Sequence, residues 1–339
     1  MPIAFRYAAR SDVGRVRSKN DDSAYAGRYL AVVADGMGGH VGGDVASASA
    51  VIDLTHLDHA GHDGDAETVL ADEIQNANQN LAELVRQQPR LAGMGTTVTS
   101  LLIDGNQIAL CHIGDSRAYR LRGDAFEQIT TDHTFVEYLV ETGRLTRDQA
   151  RQHPQRSVLL RVLGDTEGEV QLDESIREAV PGDRWLLCSD GLCGPVSAET
   201  IGEVLATVDD PGEAADQLID LALRAGGPDN VTVVVADVVD SGTGPSTQPQ
   251  VVGSAALRRP AKRVDTSPAA RAAALTAGDD DEDVELAEES PSRRARWLRR
   301  IGGLLDDCID LVDEAGDAVV LYQVGALPPS CTRQVEILQ

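Results

Sequence analysis

The sequence has 339 residues, 42% of them hydrophobic, and a formal net charge of −25. That length allows one large or two ordinary domains with a sizeable core. Eleven Lys and Arg against sixteen Asp and Glu after residue 240 leave about −20 on the first 240 residues, which excludes nucleic acid and anionic membranes as electrostatic partners of that part.

The five cysteines, at 111, 188, 193, 308 and 331, form no CxxC pair. They point to neither a zinc site nor a disulfide framework. The opening MPIAFRYAAR lacks an apolar stretch of signal-peptide length, so the reading is a cytoplasmic chain that starts here.

In chain order, AFRYAARSDVGRV predicts an edge strand and a turn. A polar loop then brings Arg17, Asp21 and Asp22 towards the next strand. That strand is the centre of the reading: YLAVVADGMGGH, Tyr29 to His40, is an apolar run ending on Asp35 and a glycine turn. Small and apolar residues at helical spacing predict helices over 42–57 and 65–88. Between Thr96 and Ile129 the period drops to two, with turns at DGN and Gly123, which predicts an antiparallel meander.

Residues 131–163 are more polar and have the length of a flap. Strands are expected near 170–178 and 184–189, the second closing on Asp190 in WLLCSDG. Helices near 197–207 and 211–225 follow, and Asp229 then precedes a strand at 231–239. Strands in runs and helices in pairs argue for antiparallel sheets with helices packed outside.

After Asp240 the composition turns to Ser, Thr, Pro, Gly and Ala with an acidic run at Asp279–Glu289, predicting a disordered linker over 241–292. The basic cluster SRRARWLRR introduces 293–339, where Leu298, Ile301, Leu305, Cys308 and Val312 could share a weak helical face. A spanning helix needs about 20 mostly apolar residues. Six acidic residues between 306 and 317 interrupt this one, so no transmembrane anchor is expected.

Asp35, Asp190 and Asp229, each at the end of a buried strand, suit hard divalent cations, which take carboxylate and carbonyl oxygens on rigid supports. Two-metal hydrolysis needs one carboxylate shared by both ions and a water held between them. Asp35 is the bridging candidate, with the Gly36 carbonyl beside it. Asp190 and Asp229 complete the first ion, and Asp21 and Asp22 serve the second, through waters where needed. Asp115, in HIGDSR, could hold a further ion, and Arg17 could grip a phosphate with paired hydrogen bonds. A lone Asp-Gly is commonly just a turn, so this reading rests on order and strand context. His56, His59 and His62 fall in a polar loop and read as surface histidines.

GRVRSKNDD, VVADGMGGHVGGDVA, GMGTTVTSLLI, HIGDSRAYRLR, HPQRSVLLRVLG, LLCSDGL and GGPDNVTVVVADV occur in this order. Together they resemble the bacterial branch of the metal-dependent serine/threonine protein phosphatases, the protein phosphatase 2C family. The resemblance covers roughly residues 5–240. It implies an α/β chain of α+β type, a four-layer αββα sandwich of two antiparallel sheets flanked by helix pairs, over 1–240. It also implies phosphoserine and phosphothreonine hydrolysis at a Mn²⁺ or Mg²⁺ pair held by Asp35, Gly36, Asp190 and Asp229. Asp115 would serve a third, weaker ion, Arg17 the phosphate, and the flap substrate choice.

Where eukaryotic relatives carry a histidine directly after the DG, this chain has Met37. Either His40 substitutes as the general acid, or a metal-held water delivers the proton. Many relatives have Glu at the position of Asp21. Membrane-bound actinobacterial relatives follow a basic cluster with a spanning helix; here the tail either docks elsewhere or reflects a reading-frame change after about Gly303. The expected partners are phosphorylated proteins, serine/threonine kinases among them, with the enzyme a monomer. Two rivals stay open: a phosphatase dedicated to a partner-switching stress pathway, and a pseudophosphatase scaffold.

Overall fold

The computed structural model describes residues 3–38, 42–165, 168–241, 248–258 and the backbone of 322–323, all within one compact unit. The first half runs β1 (Ile3–Asp12), β2 (Ser23–Ala26), β3 (Leu30–Ala34), β4 (Gly36–Met37), α1 (Gly43–Leu54), α2 (Ala66–Gln87), β5 (Gly95–Thr96), β6 (Val98–Asp104), β7 (Gln107–Ile113), β8 (Arg117–Arg122) and β9 (Ala125–Gln128). The flap holds α3 (Phe135–Glu141), α4 (Arg147–Arg151) and β10 (Val158–Leu159). Then come β11 (Asp173–Glu178), β12 (Arg184–Cys188), α5 (Asp190–Cys193), α6 (Ala198–Thr207), α7 (Pro211–Arg224), β13 (Val231–Asp240) and β14 (Gln250–Gly253).

Two antiparallel sheets carry the fold, one in the order β1-β13-β12-β8-β9 and the other β11-β7-β6-β3-β2-β14. β3 is apolar at every position, and β12 from Trp185 to Cys188, because both their faces are covered. Alternate residues point to opposite sides. Val33 and Leu187 therefore enter the core between the sheets, with Phe5, Leu101, Trp185 and Val234. Their neighbours face outward: Val32 packs under the α1/α2 layer with Leu54, Leu70 and Ile74, and Leu186 under α6/α7 with Ile201, Leu205 and Leu218. The result is the expected αββα sandwich.

Local signals set the helix starts. Asp65 accepts the Thr68 N–H at the head of α2, Ser197 accepts the Thr200 N–H at α6, and Asp210 followed by Pro211 opens α7. Each satisfies backbone donors that the first turn leaves without partners.

Two expectations need correction. The predicted meander is not one sheet: β6–β7 belong to the six-stranded sheet and β8–β9 to the five-stranded one. The chain crosses between them at Gly114–Ser116, and period-two alternation cannot reveal which sheet a strand joins. Nor does the ordered fold stop at 240. Within the expected linker, β14 pairs with β2, and a 3₁₀ turn follows over Ser254–Leu257. Four strand residues vanish in a compositional average over fifty.

No helix among the described residues is long and apolar enough to cross a membrane. The acidic run and the basic cluster lie outside the described residues.

Candidate metal centre

The sheet ends and one loop bring the expected carboxylates together. Asp35 leaves β3 with its backbone clamped by the GTT segment: its N–H donates to Thr97 Oγ1 at 2.9 Å, and its carbonyl accepts from the Thr97 N–H and Thr96 Oγ1, each at 2.9 Å. Thr97 Oγ1 in turn lies 2.8 Å from Ser116 Oγ, tying the turn of Asp35 to that of Asp115. Gly36 must be glycine, because a Cβ there would sit 2.2 Å from the Gly43 carbonyl oxygen and 2.4 Å from that of Asp21. The Gly36 peptide, the head of α1 and the Asp21 loop are thus in contact.

That loop is heavily bonded. Asn230 Oδ1 accepts the Asp21 N–H at 2.8 Å, while Asn230 Nδ2 donates to the carbonyls of Val13 and Lys19. Ser47 Oγ donates to the Asp21 carbonyl at 2.5 Å. Ser189 Oγ donates to Asp22 Oδ2 at 2.8 Å and accepts the Thr232 N–H at 3.0 Å. Lys19 Nζ bridges Asp21 Oδ1, at 3.1 Å, and Asp44 Oδ1, at 2.6 Å. The motifs contain Ser189, Asn230, Thr97, Lys19 and Asp44, with Ser47 just past the end of one, but the sequence assigns them no role.

Asp190 stands at the start of α5, close enough to Asp35 for their charges to interact. Asp229 accepts Arg17 Nη2 at 2.7 Å on Oδ2 and the Asn230 N–H at 2.8 Å on Oδ1. Asp115 is buried at the sheet crossing, with 8% of its surface exposed. Asp35 and Asp190 are partly buried. Arg17, Asp21, Asp22, Asp35, Gly36, Asp115, Asp190 and Asp229 therefore line one region. His40 lies outside the described residues.

Crowding carboxylates out of water raises their pKa values, because burial and like charges both penalise ionisation. Burial, then Asp22, Asp190 and Asp115, hold the Asp35 carboxyl well above the ordinary range. Burial and Asp190 do the same to Asp115. Asp22 is pushed up to about 7, by burial first, against the hydrogen bonds from Thr232 and Ser189. Asp190 rises to about 6, by burial and then Asp229, with Arg17 opposing. Arg17 is itself held more firmly protonated by its bond to Asp229.

Among the described residues, no three His, Cys, Asp or Glu side chains close into a ready-made cage. The donor set still fits hard divalent cations. Its atoms are carboxylate and peptide oxygens, and the buried Asp22 Oδ1 has no hydrogen-bond partner. Asp21 Oδ1, although near Lys19, has no well-directed one either. In the histidine loop the His59 and His62 rings touch at 4.5 Å and His56 turns to the Asp53 carbonyl; His62 Nε2 is unpartnered, but among the described residues no carboxylates gather around it as they do around Asp22.

The family profile described as Protein phosphatase 2C matches residues 15–221. The serine/threonine protein phosphatase PstP of Mycobacterium tuberculosis H37Rv is 47% identical over 303 residues, 88% of this chain and 57% of that protein. The chain thus spans little more than half the length of that relative. The serine/threonine phosphatase stp of Listeria innocua is 36% identical over 240 residues, 67% of this chain and 94% of that protein. A crystal structure of the M. tuberculosis PstP/Ppp phosphatase superposes with a TM-score of 0.67 at 52% identity, over 70% of this chain and all of that one. A PstP catalytic domain in complex with two manganese ions gives 0.65 at 51% identity, with the same coverage. Motif order, sandwich and sequence similarity agree that this chain belongs to the protein phosphatase 2C family.

Proposed function

We propose that the chain hydrolyses phosphoserine and phosphothreonine in proteins, using a Mn²⁺ or Mg²⁺ pair held among the strand-end carboxylates. One observation carries the reading: the carboxylates of Asp22 and Asp115, buried, and of Asp35 and Asp190, partly buried, converge so closely that each resists ionisation. A cation in their midst is what makes the ionised form of such an arrangement favourable at neutral pH. Asp35, the Gly36 carbonyl, Asp190 and Asp229 are the proposed ligands of one ion, and Asp35 with Asp21 and Asp22 those of the other. Asp115 is assigned to a third, weaker ion. The ions would supply an activated water and neutralise phosphoryl charge.

The protein's own groups do the rest. Thr96 and Thr97 fix the direction of Asp35. Asn230 and Ser47 hold the Asp21 backbone, and Arg17, exposed beside Asp229, would bind the phosphate in a two-point geometry. His40 remains the candidate proton donor to the departing serine or threonine oxygen.

The names of the relatives support phosphoprotein substrates; we extend this to serine/threonine kinases among them and to a cytoplasmic site of action. A non-hydrolysing scaffold fits less well, since every expected carboxylate is present. Phosphate release from a phosphothreonine peptide, titrated with Mn²⁺ and then chelated, tests the reading. Saturable, chelator-sensitive release that Asp35→Asn abolishes is the expected result. Equal turnover in that variant would refute the assignment.

A further inference from the structure

Three consecutive carbonyls, those of Asn20, Asp21 and Asp22, form the backbone that aims the Asp21 and Asp22 side chains. Ser47 Oγ takes the middle one. The other two are taken by a single residue far along the chain: Ser254 Oγ donates to the Asn20 carbonyl, and the Ser254 N–H to the Asp22 carbonyl at 2.8 Å. Next to it, the Ala255 N–H donates to Ser23 Oγ at 3.1 Å.

The approach depends on Gly253, whose φ of +71° and ψ of −150° are open to glycine and little else. A Cβ there would lie 2.2 Å from the Asp22 carbonyl oxygen. The segment is fastened at both ends. Gln250 Oε1 accepts the Ala9 N–H at 2.9 Å, the β14 ladder sets Gly253 opposite Ser23, and Arg258 pairs with Asp44 at 3.1 Å. Asp44 is the carboxylate that also holds Lys19 beside Asp21. Ser254 and Ala255 are buried.

We propose that residues 250–258 are a working part of the metal centre: a clasp in which Ser254 positions the Asp21–Asp22 backbone and so sets the affinity for the second ion. This rests on the metal reading given above. Surface filler would not spend its one buried serine on both carbonyls flanking a pair of candidate ligands. The clasp lies past the last family motif, at the start of the linker, so whatever displaces that linker loosens the second ion.

The test uses the full chain and Mn²⁺ alone. Bound Mn²⁺ is counted by electron paramagnetic resonance, and hydrogen exchange is followed over 250–258. By linkage, Mn²⁺ should slow exchange at the Ser254 and Ala255 amides in the unaltered chain. Gly253→Ala should speed exchange over 250–258 and weaken the looser ion about tenfold, the scale seen when supports behind metal ligands are removed. The tighter ion should change little, and kcat should recover at saturating Mn²⁺. Ser254→Ala, which adds no bulk, should give the same pattern in milder form and stands in if Gly253→Ala does not fold.

Mn²⁺ binding with no slowing over 250–258 overturns the clasp, as does faster exchange in either variant with unchanged Mn²⁺ affinity. An unaltered chain that binds no Mn²⁺ overturns the metal centre itself.

Discussion

Arg17 Nη2 donates to Asp229 Oδ2 across 2.7 Å, so the proposed phosphate-binding cation is joined to a proposed metal ligand. An ion that takes the Asp229 carboxylate competes with this bond and leaves the guanidinium in need of an anion. Metal and phosphate binding are thereby coupled through one residue.

Arg17→Ala should therefore separate the two. Losing a charge-assisted hydrogen bond to phosphate costs about 1.5–3 kcal/mol, so kcat/KM for a phosphothreonine peptide should fall roughly ten- to hundredfold. Mn²⁺ affinity should rise, because a competing positive charge has gone. Titrating both in the same preparation checks the pair, and weaker Mn²⁺ binding in the variant would contradict the coupling.

Ser189→Ala probes the support under Asp22. The hydroxyl serves Asp22 Oδ2 and the Thr232 N–H together, and its removal leaves the buried Thr232 N–H without a partner and Asp22 Oδ2 with one bond fewer. An unsatisfied buried group costs about 1–3 kcal/mol. Urea unfolding with chelator present should show a loss on that scale with an unchanged m-value. No loss would mean that water replaces the hydroxyl.

Much of this centre could be read from the sequence because a carboxylate at the end of a mainly apolar strand is a local pattern. Asp35 and Asp190 each follow such a strand, and Asp229 precedes one. The supporting bonds were not visible. Asn230 reaches the Asp21 amide across 209 positions and Ser189 reaches Asp22 across 167, and no periodicity encodes such pairings. The sheet crossing at Asp115 was missed because both halves of the supposed meander alternate alike. The clasp was missed because QVVGSAAL is a short apolar run inside a linker-like composition.

The fold should weaken on the acid side through His112. It is fully buried, its Nδ1 lies 2.9 Å from Thr99 Oγ1 and its Nε2 3.0 Å from the Thr131 carbonyl. Burial and the neighbouring His133 lower its pKa to about 3. The unfolded chain takes up a proton near pH 6.5 that the folded chain refuses. The stabilisation is thus present above that pH and lost as pH falls towards 3, at up to about 1.4 kcal/mol per unit. His112→Gln should cost stability at neutral pH and flatten the slope between about pH 6.5 and 5. Chemical denaturation at these two pH values checks it, and an unchanged slope would place the acid sensitivity elsewhere.

The carboxylate cluster makes the opposite prediction on the alkaline side, and the sign follows from the direction of the shifts. Asp22 is raised to about 7, and Asp35 and Asp115 are raised well above the ordinary value. The metal-free folded chain therefore holds protons that the unfolded chain has already released. A raised carboxyl contributes stability that is complete below the unfolded pKa and lost as pH climbs through the folded one. Between about pH 6.5 and 8 the unfolded chain releases only the last half of the His112 proton, an opposing gain of about 0.4 kcal/mol at most. In that window the chelated protein should melt at progressively lower temperature as pH rises. Divalent ions need the carboxylates ionised, so Mn²⁺ should displace protons, bind more tightly as pH rises, and remove or reverse the decline. Thermal melts at the two pH values, with EDTA and with Mn²⁺, give all four points. A chelated protein that gains stability from pH 6.5 to 8 would show that these carboxylates are already ionised without a metal, and the argument for a cation in their midst would fail with it.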